Sequence, residues 1–342
     1  MPAPDPVSRA VHALADRRDL DALLTEEAFQ QVMEGQATPA QMAALLMGLR
    51  MKGETAEEVV GAVRALRGAM VRLAVGGDAL VDTCGTGGGR VGTFNISTAA
   101  ALVAAGAGAR VAKHGNRSFT SQSGSADVLE ALGVTLPTTA PRAAQVLEAA
   151  GMTFLFAPLF HPAMKHVGPV RRELAMHTVM NILGPLANPA GVRRQVVGVA
   201  DPARGPLIAG ALAALECERG FVVHAREGMD EISPVGPTDV WEVADGAVRS
   251  WVLEPGRWRL AAGDVRDLAG GTPQDNARTA AAIVAGDDRG VRASAVIVNA
   301  AAALVAAGLA NQWDEAVEAA RAAIASGRAG QVLERLVAAS RG

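Results

Sequence analysis

The chain has 342 residues, of which 50% are hydrophobic, 20% charged and 3% aromatic, and it contains no tyrosine. At roughly 150 residues per domain, this length predicts about two domains with a large core, which excludes a disordered chain. The 32 Lys and Arg against 35 Asp and Glu give a net charge of −3. Because nucleic-acid-binding domains use a basic excess to displace counterions, we expect no nucleic-acid partner and only small, locally recognised anions.

The cysteines and the N-terminus indicate the cellular location. Cys84 and Cys217 lie far apart and outside any CxxC or Cys/His spacing, so neither a disulfide framework nor a zinc site is indicated. The first residues lack an apolar stretch after a basic one and do not resemble a secretory signal. Ser294 and Asn299 interrupt the uncharged, Ala-rich segment 293–310, which favours a buried helix over a membrane span. These features predict a cytoplasmic protein without membrane contact.

The first seventy or so residues are predicted to be helical. Thr38, Pro39 and Gln41 fit a capping box with Pro at the first helical position, and Thr55 with Glu58 fits a second box. Apolar residues at helical spacing follow each box. This pattern indicates a small helical domain at the N-terminus.

From Ala79 onward, short apolar runs end in Gly-rich or polar turns and are followed by Ala-rich stretches, a pattern typical of alternating strands and helices. The predicted strands are 79–82, 110–113, 196–199, 221–224 and 248–252. The predicted helices are 98–107, 126–132, 143–150, 207–215, 275–285 and 293–307. No linker-like segment separates the two parts, so we predict a helical domain over residues 1–72 packed against an α/β domain over residues 73–342.

A glycine loop, residues 85–89, follows the first predicted strand. Its closely spaced glycines let the backbone approach a ligand and point several N–H groups at it. The stretch from Thr93 to Thr98 then brings hydroxyls and an amide to a helix N-terminus, which favours anions. Taken alone, the loop is equally compatible with a plain Gly-rich turn, because it matches neither the GxGxxG nor the Walker pattern.

A second polar loop follows the second predicted strand. Its polar residues are Lys113, His114, Asn116, Arg117, Ser118, Ser121, Ser123 and Ser125. If the two strands are neighbours, both loops lie at one sheet edge, where α/β proteins bind ligands. Charge-assisted hydrogen bonds from such side chains suit a ligand with more than one phosphate. The alternative is that the two cations are solvated and the serines are helix caps.

These segments resemble the anthranilate phosphoribosyltransferase family of the tryptophan pathway. The matching blocks are GTGG, TFNIST, KHGNR and SGSAD, followed by HPAM from His161, PVRREL from Pro169, NILGPLANP from Asn181 and GMDE from Gly228. They span most of the chain in the family's order and spacing. The resemblance implies an α/β fold of the nucleoside phosphorylase/phosphoribosyltransferase type, in which a small helical domain joins a large α/β domain with a central mixed sheet flanked by helices. It also implies that a segment near 165–189 returns to the helical domain and that ligands bind between the domains.

The same resemblance implies a transfer of the phosphoribosyl group from phosphoribosyl pyrophosphate to the amine of anthranilate, with Mg²⁺, by a homodimer. The positions implied for phosphoribosyl pyrophosphate are Gly85, Gly88, Gly89, Thr93, Asn95, Ser97, Thr98, Lys113, His114, Gly115, Asn116, Arg117, Ser121 and Ser125. Those implied for anthranilate are Gly85, Asn116, His161 and Arg171. Those implied for Mg²⁺ are Ser97, Asp230 and Glu231.

The chemistry of these residue types agrees with the implied roles. Mg²⁺ is usually held by one or two carboxylates together with substrate phosphates, as the adjacent Asp230 and Glu231 would allow, although such a pair alone is more often a solvated loop. Arg171 can bind a carboxylate through two parallel hydrogen bonds. No nucleophilic triad is visible, and none is needed because the donor already carries a good leaving group.

Two segments depart from the family pattern. The family usually reads GTGGD-G, whereas this chain has Gly89 and Arg90 in place of the Asp and the second Gly. One carboxylate is missing and one cation is added, which predicts tighter direct binding of the phosphates and weaker recruitment of any second Mg²⁺. Further along, His177 stands where the family commonly has Arg and Met180 where it has Phe, which leaves the acceptor open.

Two other functions remain compatible with the sequence. A related phosphoribosyltransferase or phosphorylase would keep the donor site and take another aromatic acceptor, as the changes at His177 and Met180 permit. A non-catalytic paralogue would bind nucleic acid or a partner protein, although the slightly acidic chain argues against it. Turnover with anthranilate separates the main function from the first alternative. Salt-dependent retention on DNA without turnover would indicate the second.

Overall fold

A computed structural model describes residues 5–76, 79–118 and 122–342. The N-terminal part consists of four helices, which are Pro6–Ala15 (α1), Ala22–Met33 (α2), Pro39–Lys52 (α3) and Ala56–Gly68 (α4). Both predicted capping boxes are confirmed, since Thr38 and Thr55 each accept a hydrogen bond from the third helical residue and its side chain bonds back. These caps fix where α3 and α4 begin.

The rest of the chain is built on one seven-stranded sheet. Its strands are Leu80–Gly85 (β1), Arg110–Gly115 (β2), Met152–Phe156 (β3), Arg194–Gly198 (β4), Arg219–Ala225 (β5), Thr238–Ala244 (β6) and Ala247–Leu253 (β7). The order is β3-β2-β1-β4-β5-β6-β7. The strands from β3 to β5 pair in parallel, and β6 and β7 add an antiparallel edge. The predicted mixed sheet and the adjacency of β1 and β2 are confirmed.

Eleven further α-helices of the described residues connect or cover these strands. They are Ile96–Gly106 (α5), Ser125–Ala131 (α6), Ala140–Ala150 (α7), Ala157–Phe160 (α8), Met164–Leu174 (α9), Met180–Leu186 (α10), Arg204–Ala214 (α11), Pro273–Ala285 (α12), Val291–Ala307 (α13), Trp313–Ala325 (α14) and Arg328–Arg341 (α15). Two short 3₁₀ helices lie at Pro255–Trp258 and Val265–Leu268. The six predicted helices of this part are all present. The Ala-rich α13 is buried, as predicted, and it packs against α5. None of the described helices is long and apolar enough to cross a membrane.

Alternation along the strands divides the core between the two faces of the sheet. Val196 and Phe221 face a core that includes α5 and α13, whereas their neighbours Val197 and Val222 face α11 and the N-terminal helices. Helix α9 packs on α2 and α3, and α10 packs on α4. The N-terminal helices are therefore held beside the sheet by continuous apolar packing.

Strands β3 and β6 were not predicted from the sequence. The five residues of β3 follow α7 after a single glycine, and such a short apolar run resembles the continuation of a buried helix. The charged residues Asp239 and Glu242 interrupt the apolar pattern of β6. Both form ion pairs with arginines at the surface. In both cases the pairing of neighbouring strands, rather than local pattern, decides the structure.

Candidate active site

Four parts of the chain meet at the carboxyl end of the sheet. The N–H of Gly87, in the glycine loop, donates to Asp230 Oδ2 at 3.0 Å. The N–H of Ser97, in the first turn of α5, donates to Glu231 Oε1 at 3.2 Å. Lys113, near the end of β2, donates from Nζ to Ser97 Oγ at 3.2 Å. The glycine loop, the start of α5, the end of β2 and the acidic pair thus form one site.

The charged groups of this site are held away from water. Burial raises the pKa of Glu231 to about 8, and the neighbouring Asp230 carboxylate adds to the increase. Burial also raises the pKa of Asp230 and lowers the pKa of Lys113, although Asp82 opposes the second change. Two adjacent carboxyl groups with raised pKa values ionise more easily when a cation lies between them. The pair is therefore suited to bind a cation.

The donor set of this site fits Mg²⁺. Asp230 and Glu231 supply carboxylate oxygens, and the Ser97 hydroxyl lies in the same hydrogen-bonded group. The described residues contain no cluster of three or more His, Cys, Asp or Glu that could enclose a metal by themselves. Two carboxylates and one hydroxyl leave coordination positions for waters and ligand phosphates, which is how Mg²⁺ is commonly bound.

The second loop lies beside this site. Ser125, at the start of α6, donates from Oγ to the Asn116 carbonyl at 3.3 Å. Asn95 donates to the Ser123 carbonyl at 3.2 Å and joins this loop to the start of α5. A Cβ on Gly115 would lie 2.3 Å from Ser125 Oγ, so the packing leaves no room for a side chain there. The two predicted loops therefore face each other across β1 and β2.

Some of the predicted donor-site side chains are not directed at this site. The Arg117 guanidinium is exposed and forms ion pairs with Asp127 and Glu130. The Thr98 side chain is fully buried within α5, and Thr93 pairs through its backbone with the strand-like residue Ala269. Arg117, Thr98 and Thr93 therefore lie near the site in the chain, but the contacts described for them are made elsewhere.

The predicted positions Asn95 and Ser121 differ from the others. The Asn95 side chain, besides its bond to the second loop, accepts a hydrogen bond from Asn276 at 2.9 Å, so both ends of its amide have protein partners. Ser121 lies outside the described residues.

A cavity of about 540 Å³ opens beside the site, between the ends of β1 and β2 and helices α8 to α10. Gly85, Asn116, His161 and Arg171, the positions implied for anthranilate, all line it. Arg171 forms no side-chain hydrogen bond or ion pair with any described residue, and burial lowers its pKa. Its guanidinium has lost water without gaining a protein partner, which favours an anionic ligand.

Two buried histidines lie together in this cavity. Since side chains alternate along β2, Lys113 points to the acidic pair and His114 points to the cavity, where its ring lies 5.0 Å from that of His161. The His114 ring is thus placed with the acceptor positions, not with the donor positions predicted for it. Burial lowers the pKa of His114 to about 3 and that of His161 to about 4, so both are neutral at pH 7.

One functional group was missed by sequence reasoning. Asp82, in β1, is fully buried, accepts hydrogen bonds from the His114 N–H and the Asn188 amide, and lies near the Lys113 ammonium. Burial raises its pKa to about 6. The sequence feature that could have revealed Asp82 is an acidic residue inside an apolar strand. A buried carboxylate of this kind needs partners on neighbouring elements.

Comparison with known proteins gives two matching family models. The model described as "Glycosyl transferase family, helical bundle domain" matches residues 8–70, and that described as "Glycosyl transferase family, a/b domain" matches residues 77–330. The anthranilate phosphoribosyltransferase of Pelotomaculum thermopropionicum is 50% identical over 308 residues, covering 90% of this chain and 89% of the relative. That of Anaeromyxobacter sp. strain Fw109-5 is 47% identical over 336 residues, covering 98% and 99%.

Solved structures agree with these relatives. The anthranilate phosphoribosyltransferase of Thermus thermophilus is 42% identical, with a TM-score of 0.93 over 99% of this chain and 100% of that one. The Saccharomyces cerevisiae enzyme, solved in complex with PRPP and Mg, is 27% identical, with a TM-score of 0.90 over 98% of both chains. The same yeast enzyme in complex with 4-fluoroanthranilate is 25% identical, with a TM-score of 0.87 over 98% of both chains.

We expect Gly89→Asp to strengthen divalent-cation binding. A Cβ on Gly89 would lie 3.3 Å from Asp230 Oδ1 and 3.1 Å from the Gly228 carbonyl, so the new carboxylate would join the acidic pair. Titration with Mn²⁺, followed by electron paramagnetic resonance, should show tighter binding or an additional ion. Gly92→Asp is the control, because a Cβ there has no neighbour within 4 Å. If both variants bind Mn²⁺ like the parent, Gly89 does not determine metal recruitment.

We expect the buried His161 to make stability depend on pH. Its pKa falls on folding from an ordinary value of 6.5 to about 4, so the unfolded chain binds more protons between these values. Stability therefore rises with pH from about 4 to 6.5 and is lost as the pH is lowered. In urea unfolding, His161→Gln should flatten this dependence, whereas the exposed His12→Gln should not. An unchanged slope in the first variant would contradict the neutral assignment.

Proposed function

The chain belongs to the anthranilate phosphoribosyltransferase family, and we propose that it transfers the phosphoribosyl group of phosphoribosyl pyrophosphate to the amine of anthranilate. The products are N-(phosphoribosyl)anthranilate and pyrophosphate, formed in tryptophan biosynthesis. The observation that carries the proposal is the meeting of the glycine loop, Ser97 and the acidic pair Asp230 and Glu231 beside a cavity lined by Arg171, whose side chain has no partner among the described residues.

The donor binds at the charged part of this site. We place the donor's phosphates between the glycine loop and the first turn of α5, where Lys113 adds a buried positive charge. Mg²⁺ would be held by Ser97, Asp230 and Glu231 together with the donor's phosphates. When bound, it supplies positive charge that makes pyrophosphate a better leaving group.

The acceptor binds in the adjoining cavity. Arg171 holds the anthranilate carboxylate through two parallel hydrogen bonds, and this orients the ortho amine. Asn116 lines the cavity, and because its Oδ1 accepts the Arg117 N–H, we assign its amide nitrogen to the ligand. The neutral ring of His161 adds no positive charge beside the amine.

These residues act mainly by position. The amine is held in line with the anomeric carbon, which gains positive character as the bond to pyrophosphate breaks. The amine attacks this carbon, pyrophosphate leaves with the bonding electron pair, and the nitrogen then loses a proton to water or to a neighbouring side chain. The walls of the cavity come from both the N-terminal helices and the sheet, since Leu66 lines it. Closure of the two parts would exclude water that would otherwise compete with the amine.

Arg171→Ala tests the acceptor site directly. Loss of two charge-assisted hydrogen bonds should raise KM for anthranilate about 10- to 100-fold and change KM for phosphoribosyl pyrophosphate little. The assay follows the loss of anthranilate fluorescence, with and without Mg²⁺. Arg172→Ala is the matched control, because this neighbouring side chain is exposed on the same helix and does not line the cavity.

The same assay distinguishes the alternatives. No turnover of anthranilate by the parent chain, with turnover of another aromatic acceptor, would replace the proposed acceptor and keep the donor site. Retention on DNA without any turnover would favour a binding protein. Equal KM values for anthranilate in both arginine variants would contradict the assignment of Arg171.

We also propose a cytoplasmic homodimer formed through the helical domain. The two cysteines are free thiols, which suits a reducing compartment. Leu23 and Met51, at 66% and 74% exposed, are the most exposed large apolar side chains of the described residues, and both lie on N-terminal helices. Light scattering should give twice the chain mass, and Leu23→Glu with Met51→Glu should give the monomer. A parent chain that is monomeric at high concentration would contradict this proposal.

A further inference from the structure

A second cavity, of about 580 Å³, borders the glycine loop. Gly87 and Gly88 line it, so it opens onto the glycine loop that is proposed to bind phosphate. The end of α3, the start of α11 and the turn after β5 supply the other walls, and Asn181 is shared with the acceptor cavity. Both parts of the molecule therefore contribute to it.

Four arginines line this second cavity, and only two of them have partners among the described residues. Arg204 Nη1 lies 2.6 Å from a carboxylate oxygen of Glu54, and the Arg226 guanidinium pairs with a β6 carboxylate at 2.8 Å. Arg50 and Arg90 form no side-chain hydrogen bond or ion pair with any residue in the described ranges. Two guanidiniums from the two parts of the molecule thus remain available to a ligand.

The carboxylates in the cavity do not neutralise these two arginines. Asp201 Oδ1 accepts the N–H of Ala203 at 3.0 Å, and Glu227 Oε1 accepts the Ser233 hydroxyl at 2.9 Å. Both side chains are thereby held by local hydrogen bonds. Neither lies within ion-pair distance of a lining arginine among the described residues.

Arg90 is positioned by its backbone and its aliphatic stem. Its N–H donates to the Gly228 carbonyl at 2.9 Å. A Cβ on Gly228, which has a φ of +98°, would lie 3.2 Å from Arg90 Cβ and 3.6 Å from Cδ. The stem therefore runs over the turn that leads to Asp230, while the guanidinium end is exposed.

One residue from each departing segment, Arg90 and His177, lines this cavity, whereas Met180 lines the acceptor cavity. A Cβ on Gly88 would lie 3.8 Å from His177 Cε1. The family pattern places an arginine at position 177 and a glycine at position 90, whereas this chain has a histidine and an arginine. Of positions 90 and 177, the family pattern has its one guanidinium at 177, whereas this chain has it at 90.

We propose that Arg90, with Arg50 from the helical domain, binds the pyrophosphate group, and that Arg90 takes the place of the arginine missing at position 177. The inference rests on the proposed function for the identity of this group. Pyrophosphate carries several negative charges whose oxygens suit the planar guanidinium fork. The group reaches the cavity either as the end of the intact donor or as the free product.

Binding of inorganic pyrophosphate, measured by isothermal titration calorimetry with Mg²⁺ present, tests the proposal without turnover. Arg90→Gly should weaken pyrophosphate binding at least about tenfold, and Arg90→Lys should weaken it less because the charge is kept and the fork is lost. Arg50→Ala should also weaken it. Arg226→Ala is the matched control, since that guanidinium lines the same cavity but is already paired, and it should bind pyrophosphate like the parent.

A titration with phosphoribosyl pyrophosphate, without acceptor, separates the two sources of the group. A matching loss of affinity in Arg90→Gly shows that the contact forms with the intact donor, whereas an unchanged affinity restricts it to the free product. Equal pyrophosphate affinity in the parent and Arg90→Gly, or an equal loss in Arg226→Ala, overturns the assignment. The proposed function fails separately if anthranilate is not consumed.

The exchange of positions has its own test. The double variant Arg90→Gly with His177→Arg should recover most of the pyrophosphate affinity lost in Arg90→Gly. Recovery shows that a guanidinium at either position serves the cavity. A double variant that binds no better than Arg90→Gly overturns the exchange. Circular dichroism should show unchanged folding, because both positions are exposed.

Discussion

The site depends on two backbone hydrogen bonds to a partly buried acidic pair. Gly87 and Ser97 each donate an N–H to one member of the pair, although Asp230 and Glu231 are more than 130 residues away in sequence. These bonds hold two neighbouring carboxylates where each would otherwise repel the other. Two adjacent carboxylates are stabilised only when positive charge is near, from Lys113, a metal ion or an arginine. The acidic pair therefore gives the site its affinity for cations.

Close packing around the acidic pair explains why glycine occupies certain positions. A Cβ on Gly198, at the end of β4, would lie 1.7 Å from the Asp230 carbonyl oxygen, and a Cβ on Gly85 would lie 2.8 Å from its carboxylate. The strand ends must therefore lack side chains for the turn after β5 to approach. Glycine in this site serves a close approach of backbones as much as the contact with a ligand.

The elements that short-range residue patterns determine could be predicted from the sequence. The elements that depend on pairing between distant strands were predicted less completely. The capping boxes at Thr38 and Thr55 and the buried helix α13 follow from residue pattern. The two loops could be placed at one edge because β1 and β2 are parallel neighbours. The direction in which individual side chains point was harder to predict. His114 belongs to the acceptor cavity because strand alternation turns it away from Lys113, and Arg117 is engaged by carboxylates one and two turns along α6.

Alternation along β2 also separates two kinds of chemistry. On one side, Lys113 contributes to a charged region that suits phosphates and a divalent cation. On the other, His114 and His161 are held neutral by burial, in a cavity that Arg171 also lines. An amine that must attack as a free base benefits from this division, since a protonated imidazole beside it would disfavour the positive charge that develops on nitrogen. Neighbouring residues of one strand thus face a charged donor region and an acceptor cavity whose two histidines are neutral.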